Sequence, residues 1–142
     1  MYYSGKKKRH TIKTQVVVNG KTKAIIDVCQ GEGHEHDFNV YKRTIGAAIH
    51  EAVPVYADLG YLGIDVFHAN SKIPRKASKL HPLSDADKAY NKRLAKKRVI
   101  VEHINAKIKT FKVTAYPYRN HCRRHLLRML LICGIINFEK HG

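Results

Sequence analysis

The chain has 142 residues, 44% of them hydrophobic, with 27 Lys and Arg against 11 Asp and Glu and a formal net charge of +16. A chain of this length and apolar content fits one packed domain over 1–142, burying ~68–70% of its unfolded surface, and excludes disorder over most of its length. The charge excludes the balanced surface of an ordinary small-molecule enzyme and points to a polyanionic partner: DNA, RNA or an anionic membrane.

The chain opens with MYYSGKKKRH, basic but with no apolar run behind it, so it reads as neither a secretory signal nor an anchor. Residues 11–19, TIKTQVVVN, are a β-branched run ending at the Asn19-Gly20 turn signal. Residues 23–29, KAIIDVC, are its expected antiparallel partner. GEGHEHDF then reads as a loop, with Asp37 available to start a helix. Phe38, Tyr41, Ile45, Ala48 and Ile49 recur at helical spacing and predict that helix over 38–52, ending before Pro54. Residues 53–59, VPVYADL, read as a short buried strand ending in a carboxylate, and 63–82 as a basic loop marked by Pro74 and Pro82. Ser84 and the acids Asp85 and Asp87 suit a helix start, and a long helix is expected from there to about Phe111. A last helix over 120–137 carries Leu126, Leu127, Leu130, Leu131, Ile135 and Ile136 and is expected to be largely buried. The order strand, strand, helix, strand, long helix, helix is that of an α/β fold: a sheet with a β-hairpin, covered by helices.

Other features narrow the class. The apolar stretch 126–136 is too short to span a bilayer, so no membrane partner is expected and the chain is assigned to the cytoplasm. Cys29, Cys122 and Cys133 are too scattered for a disulfide framework or a zinc ribbon, and read as small buried hydrophobes. His34, His36 and Asp37 form a short cluster, but ten histidines in one chain make such clusters common.

The sharpest pattern lies on the long helix. At 100° per residue Arg98, Glu102 and Lys109 fall within about 40° of one another. Beside that stripe, Leu94, Val101, Ile104, Ile108 and Phe111 make a separate apolar face. Asp58 ends the predicted strand at ADLGYLG, where propensity disfavours an aspartate; an Asx turn with Gly60 is the ordinary use of such a residue. Two carboxylates meeting at a sheet edge could instead share divalent cations, the arrangement used in phosphodiester chemistry.

These segments resemble the DDE-type transposases of bacterial insertion sequences. The resemblance rests on YYSGKKKRHTIK at the start, GEGHEHD after the hairpin, ADLGYLG, and RVIVEHINAKIK on the long helix, in the correct order over almost the whole chain. It implies a ribonuclease-H-like catalytic core with a mixed sheet, and DNA transposition by metal-dependent strand cleavage and transfer. The implied partners are transposon ends and target DNA, with a full-length transposase or further copies of the chain as companions and the nucleoid as the place of action. Asp58 maps to the second catalytic acid and Glu102 to the third. With a first Asp they would bind two Mg²⁺ or Mn²⁺ ions. Arg98 and Lys109 match the Arg-x3-Glu-x6-Lys signature, Arg98 to orient Glu102 or the DNA end and Lys109 to contact phosphate. The Tyr that usually leads this signature is replaced by Ala95. Lys6, Lys7, Lys8, Arg9 and Lys13 at the start, with Arg75 and Lys76 in the basic loop, are the expected DNA-backbone contacts. The family's first acid lies on a strand upstream of the opening segment, so that strand is expected to be missing and activity of this chain alone to be weak. Asp27 lies in a hairpin strand and Asp37 suits a helix start, so neither is expected to replace it. The other readings are a non-catalytic DNA-binding remnant of a transposase and a basic RNA-associated protein.

Overall fold

The computed structural model describes residues 3–4, 9–115 and 124–141, with side chains over 11–114 and 124–140. In chain order its elements are β1 (Tyr3–Ser4), β2 (Arg9–His10), β3 (Ile12–Val18), β4 (Ile25–Glu32), α1 (Asp37–Arg43), β5 (Val55–Tyr56), α2 (Ile64–Phe67), β6 (Ser71–Lys72), α3 (Asp85–Thr110), α4 (Lys112–Ala115) and α5 (His125–His141). Single 3-10 turns stand at Ile45–Ala47 and Leu59–Tyr61. The architecture is α/β. The described strands pair as three separate two-stranded sheets, β1–β2 and β3–β4 antiparallel and β5–β6 parallel, where one mixed sheet was expected. The chain divides into two compact units, Met1–Glu35 with Ile100–Gly142, and His36–Val99.

In the first unit β3 and β4 form the predicted hairpin, running from Ile12 opposite Glu32 to Val18 opposite Ile25. Its turn is wider than a two-residue Asn-Gly turn. The Asn19 carbonyl accepts from Lys23 N and the Asn19 amide donates to Ala24 O, both at 2.8 Å. The Asn19 side chain accepts from Lys21 N at 2.9 Å and Thr22 N at 3.1 Å, so the asparagine shapes the turn through its side chain. Lys23, rather than Gly20, takes the left-handed conformation, at φ 61°. β4 continues to Glu32, into the stretch expected to be a loop.

Ile25 and Val28 on β4 pack with Ile104 and Ile108 of α3 and with Met129, Ile132, Cys133 and Ile136 of α5. This is the apolar face anticipated for the long helix, and Cys29 and Cys133 are buried as expected; Cys122 lies outside the described residues. Asn137 fastens α5 to the hairpin: its Oδ1 accepts from Ile25 N and its Nδ2 donates to Ile25 O, both at 2.9 Å. The burial expected of α5 is corrected. Only one face, Met129, Ile132, Cys133 and Ile136, is covered, whereas Leu127, Leu130, Leu131, Ile135 and Phe138 are 46–76% exposed. A helix apolar all round can present only one side to a single hairpin. No helix among the described residues is long and apolar enough to cross a membrane.

In the second unit Tyr41, Ala57 and Ile64 are buried beneath Phe38, Ile45, Val55, Tyr61 and Ile73. Tyr41 meets Tyr61 and Phe67 edge-to-face, with centroids 6.1 Å apart in each pair. The helix predicted over 38–52 stops at Arg43. The Thr44 hydroxyl bonds back to Val40 O at 2.6 Å while its backbone leaves the helical region at φ −116°, ψ −111°, and one 3-10 turn follows. The predicted strand over 53–59 is realised only at Val55–Tyr56: Pro54 has no N–H to offer a ladder, and the Asp58 turn ends it. The stretch taken as a loop contains α2 and β6. α3 starts as predicted with a reciprocal cap. Asp87 N donates to Ser84 Oγ at 3.1 Å, and Ser84 N donates to Asp87 Oδ2 at 3.1 Å.

Candidate functional site

Asp58 lies two residues beyond the last residue of β5 and caps the 3-10 turn Leu59–Tyr61. Its Oδ1 accepts from Gly60 N at 2.8 Å and the residue is exposed. The Asx turn is therefore real, and it fixes the direction of the carboxylate just beyond the strand. Gly60 is where a second carboxylate arrives. A Cβ there would stand 3.0 Å from Asp58 Oδ1 and 3.1 Å from Asp37 Oδ2, so the two oxygens lie within about 6 Å of each other. A Cβ at this position would press on both carboxylates, which would each have to give by a few tenths of an ångström. Asp37 occupies the first turn of α1, after the N-cap His36, and thus does what was expected of it at a helix start while also standing beside Asp58. Asp27, by contrast, sits in β4 opposite Val17 in the other unit.

Glu102 and Lys109 are exposed on α3, and Arg98 is half-buried with its Nε enclosed and lacking a hydrogen-bond partner. None of the three makes an ion pair among the described residues, so the helix stripe is not the self-paired salt-bridge row that its spacing allows. Glu102 is left with its carboxylate open to solvent. Asp58 belongs to the second unit and Glu102 to the first. Among the described residues no three His, Cys, Asp or Glu side chains cluster closely enough to hold a metal ion, and this includes His34, His36 and Asp37; His34 instead lies 3.5 Å from Glu32.

The expected DNA contacts divide by what they touch. Lys13 Nζ donates to Glu35 O at 2.5 Å. Arg75 is drawn onto α3, its guanidinium paired with Asp87 and lying 5.2 Å from the centre of the Tyr90 ring, and its N donates to Asn91 Oδ1 at 2.8 Å. Hydrogen bonds from Ser84, with the Arg75 guanidinium, hold the Asp87 carboxyl below its ordinary range. Lys76 is exposed. Lys6, Lys7 and Lys8 lie outside the described residues, as does the side chain of Arg9.

One contact went unread in the sequence. Lys97 Nζ donates to Tyr56 Oη at 2.9 Å and lies 4.5 Å from the centre of its ring. The hydrogen bond from Lys97, with the charges of Lys97 and Lys72, draws the Tyr56 phenol below its usual value. No local pattern signals a pair 41 positions apart.

A strongly basic chain with exposed carboxylates just after a strand and on a helix face suits the class of proteins that act on nucleic acid. The chain belongs to the DDE superfamily endonuclease family, whose model matches residues 1–137. It is 43% identical over 138 residues to a probable transposase for insertion sequence element IS702 from Microchaete diplosiphon, a match covering 97% of this chain and 50% of that protein. The chain thus spans about half the length of this curated relative. No solved structure gives a significant match. Endonucleases of this superfamily generally use divalent metals.

Proposed function

We propose that residues 1–142 form part of the ribonuclease-H-like catalytic domain of a DDE transposase, contributing its second and third metal-binding acids, Asp58 and Glu102, to DNA strand cleavage and transfer. The observation that carries the reading is the Asp58 carboxylate fixed by Gly60 N just beyond β5, with the Asp37 carboxylate beside it at Gly60. Hard carboxylate oxygens of this kind suit Mg²⁺ or Mn²⁺. Bound there, such ions supply Lewis acidity for a water or 3′-hydroxyl nucleophile and for the leaving oxygen.

The chain's own residues do the rest. The Gly60 amide holds Asp58 in one orientation, so little ordering is required when a cation binds. Glu102, exposed and without an ion pair among the described residues, presents its carboxylate from a rigid helix. Lys109, about two helical turns beyond on the same stripe, offers an ammonium to a phosphate near the cut, and Arg98 steadies that face from the other side. The exposed cations Lys76 and Lys109, with the opening basic run, contact the DNA backbone, which sets affinity without reading sequence. A chain acting on DNA in this way works in the cytoplasm, at the nucleoid, beside further transposase chains.

Nicking of supercoiled plasmid tests the proposal. Weak nicking that requires Mg²⁺ or Mn²⁺ and disappears in both Asp58→Ala and Glu102→Ala is the expected result. Metal-dependent nicking that survives both substitutions overturns the site assignment. DNA binding with neither nicking nor metal binding is the behaviour of a non-catalytic remnant.

A further inference from the structure

We propose that Tyr56, Lys97 and Lys72 form a docking point for one DNA backbone phosphate, two residues before Asp58; the inference rests on the DNA-processing role proposed above. Tyr56 on β5 pairs directly with Lys72 on β6, and the register is held by Ala57 N donating to Lys72 O at 3.1 Å. Residues paired across neighbouring strands project from the same face of the pleat, which sets the Lys72 side chain beside the phenol. Lys97 reaches the same phenol from α3, at 2.9 Å from its oxygen.

Two lysines thus stand at one tyrosine, Lys97 within 2.9 Å of its oxygen and 4.5 Å of its ring centre and Lys72 paired with it across the strands. This separates the pair from other cations of the chain. Lys88 is paired with Asp85 at 2.9 Å, Arg75 with Asp87, and Lys107 with Glu139 at 2.5 Å, whereas neither Lys97 nor Lys72 has an acidic partner among the described residues. Positive charge gathered without a counter-charge attracts an anion. The Tyr56 ring holds the Lys97 ammonium in place, lowering the ordering cost that a flexible lysine would otherwise meet on binding. Because Lys97 donates to the phenol oxygen, the phenol hydrogen is available to donate to a phosphate oxygen, a common backbone contact. Asp58 follows Tyr56 by two extended residues, about 6.6 Å of chain. A phosphate docked on Tyr56 therefore neighbours the one presented to Asp58, and the docking point sets the DNA strand's position along the site.

The experiment is fluorescence anisotropy of a labelled DNA duplex binding the 142-residue chain over a range of salt, for wild type, Lys97→Ala, Lys72→Ala, Tyr56→Phe and Lys88→Ala. Each neutralised phosphate contributes about 0.9 to the slope of log affinity against log salt. Lys97→Ala and Lys72→Ala are expected to lower the slope by up to about 0.9 each. Tyr56→Phe should weaken binding with the slope unchanged, since it removes a neutral donor and keeps the ring. Lys88→Ala, whose ammonium already has Asp85, should leave the slope as it is. Steep wild-type binding with unchanged slopes in Lys97→Ala and Lys72→Ala overturns the inference alone, and so does an equal fall in Lys88→Ala, which would mean diffuse charge. A wild-type chain that does not bind DNA overturns the underlying reading and this inference with it. The substituted lysines are exposed, and matching thermal melts exclude misfolding as the cause of a lowered slope.

Discussion

Replacing Asn137 by alanine isolates the link between α5 and the hairpin. The side chain makes two hydrogen bonds to one residue, accepting from Ile25 N and donating to Ile25 O, and it is the amide's two-ended geometry that permits both. Each neutral hydrogen bond contributes about 0.5–1.5 kcal/mol net, and a buried group left without a partner costs about 1–3 kcal/mol. Ile25 is buried, yet the bonds are only partly so, and water can reach one side of them. Asn137→Ala is therefore expected to cost about 1–3 kcal/mol, which for a chain of this size lowers Tm by roughly 4–9 °C. Asn137→Asp should also be destabilising, because it keeps the acceptor for Ile25 N while setting an oxygen against the Ile25 carbonyl. Thermal unfolding followed by circular dichroism measures both. An Asn137→Ala melt within 1 °C of wild type would refute the claim that this bridge secures α5 to β4.

Three further outcomes follow from the same geometry. Ile136→Ala, on the buried face of α5, should cost about 2–5 kcal/mol, while Leu131→Gln on its exposed face should stay within about 0.5 kcal/mol; urea titration separates them, and equal losses would mean that both faces are covered. His125 is held below its ordinary value by burial and then by the charge of Arg128, and its ring nitrogen is bonded to the Gln30 side chain. Its folded pKa lies below the unfolded one, so the unfolded chain takes up its proton first. Stability should fall as pH drops below about 6.5, the unperturbed value, and His125→Gln should flatten that fall in melts recorded from pH 7 downward; parallel curves would contradict it.

What could be read in advance was local. The hairpin followed from β-branched runs about Asn19-Gly20, the start of α3 from Ser84 and Asp87, and the buried side of α3 from the spacing of Leu94, Ile104 and Ile108. Each of these depends on residues a few positions apart, where propensity, capping and periodicity operate. The failures were of another kind. α1 stopped early because Thr44 turned its hydroxyl back onto the helix, a choice that spacing of apolar residues does not register. The single covered face of α5 could not be chosen from a helix apolar on every side. Of the site, the Asp58 turn was legible from ADLG, whereas the lack of an ion pair at the exposed Glu102 among the described residues was not, because its spacing from Arg98 equally allows a salt bridge. Asp37 beside Asp58, Lys97 on Tyr56 and Asn137 on Ile25 were not legible either, since each joins elements distant in sequence through side chains that have several equally plausible local uses.

The central proposal is that Asp58 and Glu102 each contribute to divalent-cation binding, and calorimetric titration of Mn²⁺ into wild type, Asp58→Ala and Glu102→Ala tests it most directly. Both variants should bind Mn²⁺ more weakly than wild type while their salt-dependent DNA binding stays almost unchanged. Equal Mn²⁺ affinity in all three proteins would contradict the assignment.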